Sequence, residues 1–225
     1  MSFQDRTEAG RMLGQALQEY SGAAVIVYAL PRGGLPVAVE IAKALQAPLD
    51  LALVRKVGIP SYPELAMGAV IDGQTPAIVR NEEVIRAAGI TEPLFQKCCQ
   101  RELEEIRRRR RLYLGDRADP DLAGKTVIIV DDGLATGATA RAAVIGLRKR
   151  HPRKIVLAVP VASVEALDTL RKEADAVVCL EVPADFRAVG QYYQQFPQLS
   201  DQDVLDALEE VNTLKGPDPE SPQRN

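Results

Sequence analysis

Apolar positions along this chain alternate between helical spacing and short unbroken runs. Met12, Leu13, Ala16 and Leu17 recur at helical spacing and predict an amphipathic helix over 4–20. The β-branched run 23–29 predicts a buried strand, 35–45 a second helix and 51–57 a second strand. After a long excursion, 126–130 reads as a third strand that runs into an acidic turn. Helix over 139–150, strand over 154–161, helix over 164–172 and strand over 176–182 follow in turn. A polar and aromatic stretch over 183–199 then leads into a last helix over 201–214. Strands alternating with helices in this way predict an α/β fold around a mainly parallel five-stranded sheet, with helices on both faces. The tail 215–225 carries three prolines and no periodicity, and is expected to be disordered.

The excursion 58–125 is too long for a plain connection. It is read as an insertion within one domain spanning 1–214. It contains a hairpin of 68–71 and 77–80 around Asp72 and Gly73, a short helix over 81–88 and a long one over 91–114. Phe95, Cys99, Leu103 and Ile106 share one stripe of that long helix. Gly58, Pro60 and Pro63 predict irregular backbone over 58–66, where only Ile59, Tyr62 and Leu65 are able to be buried.

Composition narrows the chemistry. Lys and Arg number 28 against 31 Asp and Glu, a net charge of −3 that argues against a large nucleic-acid footprint. Aromatic residues make up only 4% and Trp is absent, so a base-stacking platform is not expected. The single histidine, His151, lies between a basic helix end and Pro152, which excludes multi-histidine metal sites and suits a helix C-terminus. The longest nearly apolar run, 22–30, falls far short of the ~20 residues a membrane span needs. No basic-then-apolar leader opens the sequence, and Cys98, Cys99 and Cys179 make no disulfide framework or Cys-x-x-Cys site. A reduced, cytoplasmic protein with no membrane or nucleic-acid partner is the expectation.

The strongest chemical signal is Val127-Ile128-Ile129-Val130-Asp131-Asp132-Gly133-Leu134-Ala135-Thr136-Gly137-Ala138-Thr139. A buried strand delivers two carboxylates at its carboxyl end, and a loop of small residues and hydroxyls opens a helix. Unpaired N–H groups at that helix start suit a phosphate, with Thr136 and Thr139 as further donors. The two acids are able to accept hydrogen bonds from two sugar hydroxyls. A sugar-phosphate site at the carboxyl edge of the sheet follows. The other reading is a turn capped by the acids, with Thr136 as the helix N-cap. A P-loop is excluded, because the Gly-Lys-Ser/Thr ending is missing. Leu30-Pro31-Arg32-Gly33-Gly34 is a second turn between strand and helix, either anion-ready or a plain glycine turn.

Residues 127–139 resemble the binding motif for 5-phosphoribosyl 1-diphosphate (PRPP) in the type I phosphoribosyltransferases. Gly133 stands where that family usually carries an apolar residue. The resemblance implies a Rossmann-like type I phosphoribosyltransferase fold with a hood over 183–199. The implied reaction, a pentosyl transfer, moves phosphoribosyl from PRPP to a nitrogenous base, or the reverse, with release of pyrophosphate. It implies that Asp131 and Asp132 hold the ribose hydroxyls and that Ala135, Thr136, Gly137, Ala138 and Thr139 cradle the 5′-phosphate. Arg32 and Gly33 resemble the family's pyrophosphate loop. Arg55 and Lys56 resemble a basic pair in the orotate branch that also meets pyrophosphate, the other reading being a solvated strand end. Catalysis is then expected of Arg32, Lys56, Asp131 and Asp132, with a Mg²⁺ held mainly by PRPP. The segment 58–66, tipped by Ser61, Tyr62, Pro63 and Glu64, would close over the reacting carbon, with Glu64 either near the cation or solvated. Phe186 resembles the hood Phe that stacks on the acceptor, while Tyr192 and Tyr193 stand where that family carries an acid, so Phe186 or Tyr192 would stack on the acceptor or else pack the hood itself. Arg107 through Arg111 read as a solvated helix end or an anion or subunit contact, and the family implies a homodimer. A non-catalytic sensor of PRPP or nucleotide on the same fold is the competing reading.

Overall fold

A computed structural model describes residues 2–22, 24–73 and 76–214 of the chain. Its elements run α1 (Arg6–Ala16), β1 (Val25–Ala29), α2 (Gly34–Leu45), β2 (Leu49–Leu51), β3 (Val54–Ile59), β4 (Tyr62–Ile71) and β5 (Ala77–Arg80). There follow α3 (Glu82–Ala87), α4 (Glu92–Leu114), β6 (Thr126–Val130), α5 (Ala138–Arg148), β7 (Lys154–Val161), α6 (Val164–Leu170), β8 (Ala176–Glu181) and α7 (Asp201–Leu214). The tail 215–225, expected to be disordered, lies outside the described residues, as does the Glu64 side chain.

Five strands form one parallel sheet in the order β2-β1-β6-β7-β8. Both of its faces are covered, which is why its strands read as unbroken apolar runs. Alternate residues of each strand enter different cores. Val27, Ala29, Ile128, Val130, Val156 and Ala158 pack with Leu13 and Leu17 of α1, Leu35 and Ile41 of α2, and Val204 and Leu208 of α7. Ile26, Tyr28, Val127, Ile129, Ile155 and Leu157 meet Val144 and Leu147 of α5 and Leu167 and Leu170 of α6 on the other side. The expected α/β architecture with helices on both faces is thus the one observed. Among the described residues no helix is long and apolar enough to cross a membrane.

Two expectations are corrected. The strand predicted over 51–57 is two strands in two sheets. β2 ends beside β1, and β3 begins an antiparallel sheet of order β3-β4-β5. Ala52 donates its N–H to the Ala29 carbonyl at 2.9 Å, whereas the Leu53 carbonyl accepts from the Asp72 N–H at 2.9 Å. Both side chains are buried, but in different cores, so hydrophobicity alone does not mark the break. The second correction concerns 58–66, which is strand for most of its length, interrupted by a turn at 60–61 and a bulge. β3 and β4 pair directly, and their register jumps from Gly58–Ala66 to Ile59–Tyr62. A β-carbon on Gly58 would stand 2.3 Å from the Pro63 carbonyl oxygen, so the bulge closes only around glycine. The bulge accommodates Pro63 and the turn at 60–61 accommodates Pro60, whose rings donate nothing to a ladder. Of the three residues able to be buried there, Ile59 is; Tyr62 and Leu65 are exposed.

The hairpin of β4 and β5 matches expectation, as does the stripe on α4, where Phe95, Cys99 and Ile106 are buried and Leu103 packs beside them. The five arginines behave as a helix surface: Glu105 pairs with Arg108 and Arg109, and Arg110 bridges Asp72 and Asp119.

Candidate functional site

All five residues of β6 are buried, so the strand delivers Asp131 and Asp132 to a fixed point at the carboxyl edge of the sheet. Asp131 accepts the backbone N–H of Asp132 through Oδ1 at 2.9 Å. Asp132 accepts Nε of Arg6 through Oδ2 at 2.8 Å, and its carbonyl accepts the Tyr193 hydroxyl at 2.6 Å. Burial pushes both carboxyls above the usual range. The Asp132 charge adds to the shift of Asp131, and Arg6 pulls Asp132 partly back. Burial raises the Tyr193 phenol as well, which keeps it a protonated donor.

The turn of Arg32 and Gly33 lies directly on these acids. A β-carbon on Gly33 would fall 2.1 Å from Asp132 Oδ2, and one on Gly34 would fall 2.5 Å from the Val130 carbonyl oxygen. Only glycine permits that approach. The Leu30 N–H donates to the Val130 carbonyl at 2.8 Å and fixes the turn against the strand end.

On the other side of the acids, Ala135, Thr136, Gly137, Ala138 and Thr139 lead into α5. Gly137 takes the N-cap position in the left-handed region, φ 68°, and no side chain caps the helix. Gly137 and not Thr136 is therefore the N-cap; the Thr136 hydroxyl accepts only the Ala138 N–H, at a long 3.5 Å, and the other N–H groups of the helix start remain available to a ligand. Ala135, Thr136 and Ala138 are exposed. Ser163 braces the loop from behind, its hydroxyl donating to the Ala135 carbonyl at 2.7 Å. A hollow of about 420 Å³ opens between Thr136, Ser163, Glu165 and the hood residues Phe186 and Arg187.

The structure separates the remaining expected residues. Arg32 lines a cavity of about 350 Å³ with Arg6, Gly33, Asp132, Phe196 and Gln198. Its Nη1 lies 3.4 Å from Asp201 Oδ1, and the Tyr113 hydroxyl donates to the same oxygen at 2.5 Å. Those contacts hold Asp201 below the usual carboxylate range, while burial and Asp201 push Tyr113 up to about 12. Arg55 turns away from this cavity. Its Nε and Nη2 both donate to Oε2 of the buried Glu102 on α4, at 2.9 and 2.8 Å. Lys56, on the alternate face of β3, is exposed beside a small hollow that Ala138 and Arg141 of α5 also line. Phe186 and Tyr192 stack on each other, with centroids 5.6 Å apart and planes 13° apart. Phe186 also lines the hollow beside Thr136, so both expectations for this pair stay open.

Gly133 has a local explanation. A β-carbon there would fall 2.6 Å from Val189 Cγ1, so the hood packs into the space an apolar side chain would occupy. Sequence reasoning passed over Arg6, Tyr193 and Asp201. Arg6 is the first residue of α1, where a cation opposes the helix dipole, and that misfit is the signal that it serves something else. Phe3 also belongs to the site, pairing with Tyr193 as a parallel bridge and exchanging backbone hydrogen bonds with Tyr192 and Gln194. Nothing in its surroundings along the chain announces that.

The family model for a phosphoribosyl transferase domain matches residues 5–196. TT1426 from Thermus thermophilus, a solved structure, superposes with a TM-score of 0.81 at 42% identity, covering 94% of this chain and 99% of that one. Two Mycobacterium tuberculosis proteins are each 45% identical over 210 residues: "Putative phosphoribosyl transferase MT0597" of strain CDC 1551 / Oshkosh and "Putative phosphoribosyl transferase Rv0571c" of strain ATCC 25618 / H37Rv. The match covers 93% of this chain and 47% of each of theirs, so the chain spans about half the length of those relatives. A family model that runs from the start of α1 into the hood leaves one conclusion about kinship: the chain belongs to the phosphoribosyl transferase domain family.

Proposed function

We propose that this protein transfers the phosphoribosyl group between PRPP and a nitrogenous base, with pyrophosphate as the other product or substrate. The observation that carries the reading is the convergence at the end of β6: two acids, an uncapped helix start on one side and the Arg32-Gly33 turn pressed against Asp132 on the other. In this reading Asp131 and Asp132 accept the ribose hydroxyls. The N–H groups and hydroxyls of Ala135 to Thr139 take the 5′-phosphate, and Arg32 stabilises charge on the departing pyrophosphate. Lys56 approaches from β3 on the phosphate side, and the β3–β4 hairpin shields the reacting carbon from water.

Mg²⁺ suits the donor chemistry on one condition. Among the described residues no three His, Cys, Asp or Glu side chains converge as a metal-binding set. Two carboxylates at the β6 end are nonetheless hard oxygen donors of the kind Mg²⁺ takes together with substrate phosphates. The ion fits where PRPP oxygens supply the rest of its ligands, and when bound it would neutralise the leaving group.

The test has two steps. PRPP with Mg²⁺ is expected to raise the melting temperature, because a ligand of the folded state alone stabilises it; no shift at millimolar PRPP removes the reading. A panel of purine and pyrimidine bases is then screened for pyrophosphate release. Binding without turnover on any base would favour the sensor.

A further inference from the structure

Arg6 occupies a position that the proposed reaction leaves unused. Its side chain is only 9% exposed, and three contacts fix it. Nε donates to Asp132 Oδ2 at 2.8 Å, Nη1 donates to the Pro197 carbonyl at 2.9 Å, and the guanidinium lies 3.7 Å from the centroid of Phe196. Nη2 takes part in neither hydrogen bond, and the side chain lines the same cavity as Arg32 and Gly33. Two guanidiniums thus face one hollow beside the ribose acids. Each is balanced by a carboxylate in the free protein, Arg6 by Asp132 and Arg32 by Asp201.

That balance is informative. A buried cation and a buried carboxylate are each costly alone and tolerable as a pair. A doubly or triply charged diphosphate entering the hollow offers both guanidiniums a stronger partner with matching bidentate geometry. We propose that Arg6 is a second diphosphate-binding residue, which neutralises Asp132 while the site is empty and passes to the diphosphate of PRPP, releasing Asp132 Oδ2 to a ribose hydroxyl. The inference rests on the phosphoribosyl-transfer reading and adds a residue from the first turn of the chain to it. It explains why an arginine stands at a helix start that disfavours it, and why the ribose acid begins in an ion pair.

Inorganic pyrophosphate and ribose 5-phosphate, titrated separately into the full chain by calorimetry, distinguish the alternatives. Arg6→Gln is expected to weaken pyrophosphate by about 10- to 100-fold, the worth of a charge-assisted contact, while ribose 5-phosphate binds as well as before or better. An arginine that merely staples α1 to the hood would weaken both ligands together, and that result overturns the inference. Unchanged pyrophosphate affinity overturns it too. If the unmodified protein binds neither ligand, the phosphoribosyl-transfer reading itself has failed, a result separable from both of these. Should Arg6→Gln fail to fold for want of a partner for Asp132, Arg6→Gln with Asp132→Asn is compared with Asp132→Asn alone. A further loss of pyrophosphate affinity in the double variant supports the assignment, and equal affinity overturns it.

Discussion

Asp131 and Asp132 leave the same strand end with different neighbours, and their neutral variants are expected to part company. Asp132→Asn leaves Arg6 a buried cation facing an uncharged amide. The expected loss is on the order of 2–3 kcal/mol in urea unfolding at neutral pH. Asp131 has no cation in hydrogen-bond contact among the interactions described, and burial with the Asp132 charge raises its carboxyl. The folded state therefore holds that proton more tightly than the unfolded chain does. The resulting cost to stability accrues upward from the unfolded value and is complete once the pH exceeds the raised folded one. At neutral pH Asp131→Asn is accordingly expected to match or exceed the unmodified protein in stability. The two should converge as the pH falls into the ordinary carboxylate range, and a gap that instead widened on acidification would contradict the burial argument.

Among the elements, the β3–β4 hairpin departs most from what its sequence suggested. Two prolines and a glycine look like a loop, yet the pairing survives because Gly58 and Pro63 meet at the bulge and Pro60 lies in the turn between the strands. Its tip carries Tyr62 at 63% exposure and Leu65 at 43%. Apolar groups left in water at the end of a hairpin contribute little to folding. Tyr62→Ser with Leu65→Ser is expected to shift stability by no more than about 0.5 kcal/mol. If the tip covers the reacting carbon, the same variant is expected to lose kcat in a pyrophosphate-release assay. Unaltered turnover would mark the hairpin as a bystander. Elements were legible where one residue's surroundings decide its state: β6, α5 and the glycine turn at Gly33 are local patterns. The break between β2 and β3 was not legible, because Ala52 and Leu53 are both apolar and only the identity of the core that receives each one distinguishes them. Arg55 was misleading for a related reason. A basic pair at a strand end sends its two side chains to opposite faces, and the partner that claims Arg55, Glu102, lies 47 positions away.

For the molecule as a whole, the two acids, the glycine-capped helix start and the family were readable from one stretch of chain, whereas the packing around them was not. That packing comes from both ends of the described chain. Phe3 is 1% exposed and packs on Tyr193 with ring centroids 5.5 Å apart, and Tyr193 in turn holds the Asp132 carbonyl. Phe3→Ala is expected to cost about 3 kcal/mol as a buried cavity. It is also expected to weaken ribose 5-phosphate measurably, because the Tyr193 hydroxyl loses its backing. Calorimetry on the folded fraction separates the two effects, and a variant that melts lower but binds normally would confine Phe3 to packing.

The pairing of β1 with β6 has a bearing on how the molecule comes into being. Val25–Ala29 must find Thr126–Val130 across about a hundred intervening residues, and non-local pairings of this kind slow folding. On the ribosome Arg6 is made first and waits for Asp132, while Tyr193 arrives later still. Helices α1 and α2 are able to form early, but Arg6 has no counter-charge until β6 and Asp132 have emerged. Until the hood has emerged and met α1, Arg6 lacks the Pro197 carbonyl and the Phe196 ring, and Asp132 lacks the Tyr193 hydroxyl.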